Sequence, residues 1–537
     1  MEKKKHKFDW EMAGLAVLFA VLMSLPFLVP HLGFLALFGF VPLLFMDTLA
    51  DLHRTRHFWW WHYAAFVLWN AATTFWVCNA TVGGGIFAVL ANAFQMSLLV
   101  ACYRFGKRFL SNTLSYALLV TLWVAWERFY FSAQISWPWL TLGNAFARTT
   151  ALVQWYEYTG ALGGSLWIWL CNLGAFLLLL YLLGGSFRSL SVPRRIALPL
   201  CYAVVLLAPM ALSIAMYRGF EEQTEDRIDV VIAQPNFDPY QKFESMTQEQ
   251  QNAVLIGQLR EALASRQPSA PHLLLVGPET FTSDITLGAV SQSPTWQSFQ
   301  AFLQDYPEAN LLFGATTRRF IRSQQSPAPT TRHLRDDLWY QAYNSAFMTD
   351  ARGREDVYHK SKLVVGVEMT PYPKFFGKID DKLGGVMGRC IGQDEISTLR
   401  VDGIPLGCAI CYESVYGEFC TGYVRKGAKV LAVITNDAWW GDTPGYRQHL
   451  SYASLRAIET RRDIVRCANT GISALINQRG DVLAETDWWT REVLTGTVST
   501  SSRETFFVRC GDIVGRVCTY LFLLIALALL LRLFIRR

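Results

Sequence analysis

Apolar residues are bunched at the two ends of this chain and thinned out in its middle. That distribution limits the folds open to it more than any single motif does. A bilayer-spanning helix needs about 20 mostly apolar residues. Seven such runs fall before residue 218, near 11–30, 33–50, 59–78, 83–103, 112–131, 162–184 and 196–216, and an eighth covers 514–531. Only 17% of residues are charged, against roughly 25% in soluble domains. The pattern is that of an integral membrane protein, and it excludes a disordered chain, a collagen-like chain and a small disulfide scaffold.

The formal charge of +6 divides unevenly along the chain. Residues 1–217 carry 14 Lys and Arg against 7 Asp and Glu, residues 512–537 carry 4 against 1, and residues 218–511 carry 31 against 35. Basic ends therefore flank a mildly acidic middle, which does not suit a nucleic-acid partner. With the N-terminus in the cytoplasm, the cytoplasmic segments hold Lys3, Lys4, Lys5 and Lys7, then Arg54 and Arg56, then Arg104, Lys107 and Arg108, then Arg188, Arg194 and Arg195, and last Arg532, Arg536 and Arg537. The opposite loops are almost free of basic residues. By the positive-inside rule, seven spans then put residues 218–511 outside the cytoplasm. The first apolar run leads into a polytopic pattern without a small-residue cleavage site, so it does not read as a cleavable signal peptide. Glu127-Arg128 reads either as an ion pair at the membrane interface or as a functional pair, and Ser136-Trp137-Pro138-Trp139-Leu140 as an aromatic belt or a docking loop. Three parts are expected: a transmembrane domain over 1–217, a catalytic domain over 218–511, and a closing span with a basic tail over 512–537.

Within 218–511 the pattern changes to short aliphatic strands alternating with polar, helix-like stretches. Strands are expected at 228–233, 273–276, 311–315, 344–349, 405–410, 430–435 and 472–476, and helices at 247–265 and 447–467, with an exposed loop over 321–337. The mixture gives an α/β or α+β sandwich. Eleven cysteines show no paired metal-ligand spacing and no disulfide ladder.

Three strand ends in this region carry reactive groups: Glu279 in Pro278-Glu279-Thr280, Lys360 in His359-Lys360-Ser361 with Glu368 eight residues later, and Cys411 in Ile410-Cys411-Tyr412-Glu413. Each alone has an ordinary reading as a solvated carboxylate, a surface turn or a buried small hydrophobe. Together they supply what a cysteine nucleophile needs, a base for its proton and a cation that favours thiolate and oxyanion. The order Glu, Lys, Cys, with Thr435-Asn436-Asp437-Ala438-Trp439-Trp440-Gly441, Arg456-Ala457-Ile458-Glu459 and Asn469-Thr470-Gly471 further on, resembles the nitrilase superfamily of carbon-nitrogen hydrolases. Apolar spans on both sides, Gln234-Pro235-Asn236 at the domain's start and the Lys360–Glu368 spacing narrow the resemblance to the apolipoprotein N-acyltransferases.

That resemblance implies an αββα sandwich inserted in an α-helical membrane bundle, with Glu279 as general base, Lys360 as oxyanion stabiliser and Cys411 as nucleophile. Glu368, Tyr412 and Glu413 would support them, and Phe243 and Trp439 would contact substrate. It also implies a phospholipid acyl donor and a diacylated apolipoprotein acceptor, no metal or diffusible cofactor, a monomer, and a place in the bacterial inner membrane with the catalytic domain on the periplasmic side. The chain departs from the family at Gly277, at Val365-Gly366-Val367 and at Phe243, where relatives carry an aromatic residue, a Pro-Phe-Gly type sequence and Trp. The same three groups also suit a membrane-tethered amidase that passes its acyl group to water. A third reading is a transporter or assembly scaffold whose outer domain has lost catalysis.

Overall fold

The computed structural model describes residues 9–55, 57–184, 190–238, 246–328, 330–382 and 388–535. Phe243 and several of the basic residues named above (Lys3, Lys4, Lys5, Lys7, Arg56, Arg188, Arg536 and Arg537) lie outside the described residues. The chain folds as two compact units, one of residues 1–131, 137–219 and 512–537, the other of 132–136 and 220–511.

The first unit is helical. Among the described residues, six stretches are long and apolar enough to cross a membrane: Trp10–Leu28, Gly33–Leu52, Val82–Lys107, Tyr156–Leu183, Val192–Arg218 and Ile513–Ile535. The other two expected spans fold as helices Phe58–Thr74 and Asn112–Tyr130 but are not among these six. The second stretch is broken between Gly39 and Val41. Asn172 mends the break: its side-chain oxygen accepts from the Phe40 and Val41 amides at 2.7 and 3.2 Å, and its amide donates to the Ala36 carbonyl at 2.8 Å. Backbone groups freed inside an apolar bundle need such partners. Phe19, Phe40, Phe66, Trp69, Trp123 and Trp169 pack edge to face around this point. Glu127 and Arg128 face different partners: Glu127 accepts from the Leu142 amide at 2.9 Å, while Arg128 lies 3.5 Å from Asp512.

The second unit is an α/β sandwich of two sheets. Its strands are β1 (Arg227–Gln234), β2 (His272–Val276), β3 (Ala309–Arg322), β4 (Arg332–Arg335), β5 (Leu338–Asp350), β6 (Asp356–His359), β7 (Leu399–Val401), β8 (Ile404–Ile410), β9 (Val430–Thr435), β10 (Ile464–Ala468), β11 (Ala474–Ile476), β12 (Val482–Glu485) and β13 (Glu492–Ser499). One sheet runs β13-β1-β2-β3-β5-β4 with β6 beside β5, the other β12-β11-β10-β9-β8-β7. Alternation along the strands builds two cores. Val230, Ile232, Leu274, Val276 and Leu312 of the first sheet meet Leu406, Cys408, Ile410, Val430 and Ala432 of the second. Val231, Leu273, Leu275, Leu311 and Phe313 on the first sheet's other face pack against Leu255 and Leu259 of helix Gln248–Ser265 and Phe299 and Phe302 of helix Pro294–Gln304. The result is the layering helix, sheet, sheet, helix, with Pro444–Thr460 on the second sheet's outer side through Ala453 and Ala457.

Two expectations are corrected. The segment 321–337 is not all loop, because β3 runs on to Arg322 and β4 pairs with β5; charged, exposed arms of a hairpin lack the apolar alternation of a core strand. The helix expected over 447–467 ends at Thr460, where Arg461 adopts φ +49°, and the chain turns into β10.

Candidate active site

Glu279, Lys360 and Glu368, far apart in sequence, meet at the ends of the first sheet. Glu279 follows β2, Lys360 follows β6, and Lys360 Nζ lies 3.2 Å from Glu279 Oε1 and 2.9 Å from Glu368 Oε1. Lys360 is 1% exposed and Glu279 6%. Asn344 of β5 donates to both carboxylates, at 2.7 Å to Glu279 and 2.9 Å to Glu368, while the Asn436 amide donates to the other Glu279 oxygen at 3.0 Å. Glu279 is thus aimed by three donors. Burial alone would lower the Lys360 pKa, but Glu279 and Glu368 outweigh it and hold the amine well above its ordinary value. The ammonium is therefore fixed. Gly314 of β3 lets the Glu279 turn approach closely, since a Cβ there would lie 2.6 Å from Glu279 Cα and 2.7 Å from the Thr280 amide.

Cys411 opens a short 3-10 turn, Cys411–Val415, at the end of β8 and has φ +52°. Left-handed backbone is costly for a side chain other than glycine and persists where surrounding contacts enforce it. Burial raises the Cys411 pKa well above its usual value, the Glu279 carboxylate adds to the rise, and Lys360 opposes it. At neutral pH the resting group is accordingly a thiol, with a carboxylate and an ammonium both close enough to shift it.

Glu413 ties the Lys360 and Cys411 segments together. One carboxylate oxygen accepts from the Ser361 and Lys362 amides at 2.6 and 3.1 Å and from the Tyr358 hydroxyl at 2.7 Å, and the other accepts from the Ile410 amide at 2.8 Å. It is fully buried, so its role in this geometry is to brace the turn. The Tyr412 hydroxyl donates to the Ser136 carbonyl at 3.0 Å. Trp439 is 40% exposed in the turn Asp437–Trp440. Phe375, on helix Pro373–Lys382, is exposed as well. Beside the Lys360–Glu368 segment lies a cavity of about 360 Å³ lined by Leu363, Met369, Thr370, Arg389, Cys390 and Ile391 among others.

The second sheet adds groups that the motifs did not single out for a role. Asp437, His449 and Cys411 place a carboxylate oxygen, a ring nitrogen and the thiol within 4.8 Å of one another. That spacing suits a metal, yet the Arg466 guanidinium lies 2.5 Å from Asp437 and already supplies the cation. Burial would raise the Asp437 pKa, but Arg466 and His449 hold it below its ordinary value. Asn344, His449 and Arg466 carried no strand-end or flanking-motif signal in one sequence; Asn344 stood at an expected strand start and nothing more. The opening Gln234-Pro235-Asn236 is held to the second sheet's loops, with Asn236 N–H donating to the Asn469 carbonyl at 2.9 Å and Gln234 Oε1 accepting from Ser473 Oγ at 2.7 Å.

Residues 19–174 match the model of the apolipoprotein N-acyltransferase N-terminal domain, and residues 333–506 that of the carbon-nitrogen hydrolases. Lys360, Glu368, Cys411, Tyr412, Glu413 and Trp439 fall inside the second match and Glu279 before it. The chain is 29% identical over 501 residues to the apolipoprotein N-acyltransferase of Chlorobaculum tepidum, covering 91% of this chain and 90% of that one. It is 28% identical over 521 residues to that of Geobacter metallireducens, covering 94% and 92%. Among solved structures, Saccharomyces cerevisiae Nit3, a member of branch 10 of the nitrilase superfamily, aligns at 16% identity with a TM-score of 0.37 over 55% of this chain and 98% of that one.

Proposed function

From the premise that the chain belongs to the apolipoprotein N-acyltransferase family, we propose that it moves an acyl chain from a membrane phospholipid to the N-terminal amine of an S-diacylglyceryl-cysteine on a bacterial lipoprotein, through a thioester on Cys411. The observation that carries this reading is the cluster of buried Glu279, Lys360 and Asn344 with partly buried Glu368, whose carboxylate and ammonium act on a cysteine held in a left-handed turn.

The reaction runs in two halves. Glu279 takes the Cys411 proton, and the thiolate attacks the ester carbonyl carbon while Lys360 faces the developing oxyanion. The carbon–oxygen bond breaks, Glu279 returns the proton to the departing lysophospholipid alkoxide, and the acyl group stays on sulfur. The lipoprotein amine then attacks the thioester carbonyl and gives its proton to Glu279. The carbon–sulfur bond breaks, the thiolate is reprotonated, and an amide leaves. Glu368 and Asn344 keep Lys360 and Glu279 in place through both halves. The cavity beside Leu363 and Met369 is of the size that receives part of a lipid chain. Both substrates reside in a membrane leaflet, which accounts for a catalytic unit carried between apolar helices. The charge distribution supports the periplasmic face of the inner membrane as its place.

Intact-mass analysis after incubation with phospholipid alone tests the proposal. A hydroxylamine-labile acyl adduct mapped to Cys411, discharged by a diacylated lipopeptide and missing from Cys411→Ser, is the expected result. A folded protein that forms no adduct would point to the amidase or the non-catalytic reading, and one that loses its adduct to water as fast as to the lipopeptide would point to a hydrolase.

A further inference from the structure

The turn that holds Cys411 in its left-handed conformation is gripped from one side by one helix. His449 and Arg456 stand seven residues apart on Pro444–Thr460, two turns along the same face. Arg456 Nη1 donates to the Val415 and Ser414 carbonyls at 2.7 and 3.3 Å. His449 Nε2 lies 3.0 Å from the Cys411 carbonyl oxygen and 3.0 Å from Ser414 Oγ, which itself donates to the Cys411 carbonyl at 2.8 Å. A carbonyl oxygen only accepts, so Nε2 carries the proton in that contact. The ring's other nitrogen lies 2.9 Å from Asp437 Oδ1 and 3.2 Å from Arg466 Nη2, and Asp437 also accepts from Thr435 Oγ1 at 2.6 Å and from Arg466 at 2.5 Å. His449, Asp437 and Arg466 are all fully buried. The carboxylate, guanidinium and imidazole form a relay that ends on the nucleophile's own backbone, with the carboxylate and the imidazole also within 4.8 Å of its thiol.

We propose that His449, held by Asp437 and Arg466, is a positioning residue: by donating to the Cys411 carbonyl it keeps the turn left-handed and the thiol aimed at Glu279 and Lys360. The proposal rests on Cys411 as the nucleophile. Ser414 Oγ donates to the same carbonyl and is itself hydrogen-bonded to His449, so loss of the imidazole loosens both holds on it; the turn relaxes toward an ordinary φ, and the thiol leaves its place beside its base and cation.

The test uses the full-length chain in detergent or nanodiscs and reads two rates: alkylation of Cys411 by iodoacetamide, followed on the Cys411 peptide by mass spectrometry, and acyl adduct formation from phospholipid. His449→Ala is expected to slow both by about tenfold to a hundredfold, the range for losing one buried hydrogen bond at a reacting group, through kcat with little change in KM. His449→Gln, whose amide can still donate to the carbonyl, is expected to recover most of the rate. Asp437→Asn is expected to fall between them and serves in place of His449→Ala if that variant does not fold. Alkylation of His449→Ala or Asp437→Asn at the unsubstituted rate would overturn the proposal. So would a rate loss that His449→Gln does not relieve and that follows the fall in Tm. Alkylation needs no lipid, so a chain that alkylates normally but forms no acyl adduct counts against phospholipid transfer while the His449 comparison still decides this proposal.

Discussion

At the scale of single residues the site sets two charges against one thiol. Glu279 raises the Cys411 pKa and Lys360 lowers it, on top of the larger rise from burial. Because the thiol pKa is raised, thiolate grows only as pH climbs into the alkaline range, and alkylation of Cys411 is expected to keep rising there. Glu279→Gln removes that negative neighbour together with the base proposed to take the thiol's proton. Turnover is expected to fall by about 10²–10⁴, the usual worth of a general base, and the rise of Cys411 alkylation with pH to begin at lower pH than in the unsubstituted protein. An unshifted alkylation profile in Glu279→Gln would contradict the assigned electrostatics. The proposed roles of Glu279, Lys360 and Cys411 could be framed from the sequence because each stands at a strand end with a reactive side chain. Asn344, which bridges two carboxylates, could not, since an asparagine at the start of a strand looks the same whether or not it faces a site.

At the scale of elements, strand β3 passes so close to the Glu279 turn that position 314 has no room for a methyl group. Gly314→Ala is expected to push the Glu279 backbone away from Lys360 and lower adduct formation by at least about tenfold with the fold kept; unaltered adduct formation would show that the turn can shift freely. At the junction of helix Pro444–Thr460 and β10, Asp463 accepts from the Ser499 amide at 2.7 Å, and burial pushes its pKa up to about 7. A carboxyl whose folded pKa is raised favours the fold fully below its unfolded pKa near 4 and loses that contribution as pH rises through 7. The difference is on the order of 4 kcal/mol between the two limits. Thermal melting of the second unit is expected to fall between pH 5 and 8, and Asp463→Asn should flatten the slope; an equal slope in both proteins would reject it. The central strands β1, β2, β8 and β9 were legible as continuous aliphatic runs buried on both faces. Strands β4, β6, β7, β12 and β13 were not, because they are short or carry exposed and polar residues, and β10 was absorbed into the preceding helix because Arg462, Asp463 and Arg466 look like a polar helix face until their buried partners are seen.

At the scale of the whole molecule, the charge pattern of the apolar segments supports the proposed placement of residues 218–511 outside the cytoplasm. Gln325→Cys, in the connection between β3 and β4, is expected to react with a membrane-impermeant maleimide in intact spheroplasts above the level of the unsubstituted chain; protection until lysis would reverse the proposed orientation. The arrangement of the first sheet has a further consequence. Strand β1 begins at Arg227 and pairs antiparallel with β13, its partner for Arg227 being Ser499, 272 positions later. At about 5–20 residues per second, the ribosome delivers that partner roughly a quarter of a minute to a minute after β1 has emerged. Throughout that interval β1, buried along nearly all its length in the finished protein, has one open edge available to any other strand. Shielding of β1 during synthesis would guard that edge against wrong pairing, and a chain stopped short of residue 492 would carry every group of the candidate site and still be unable to close the sheet that supports it.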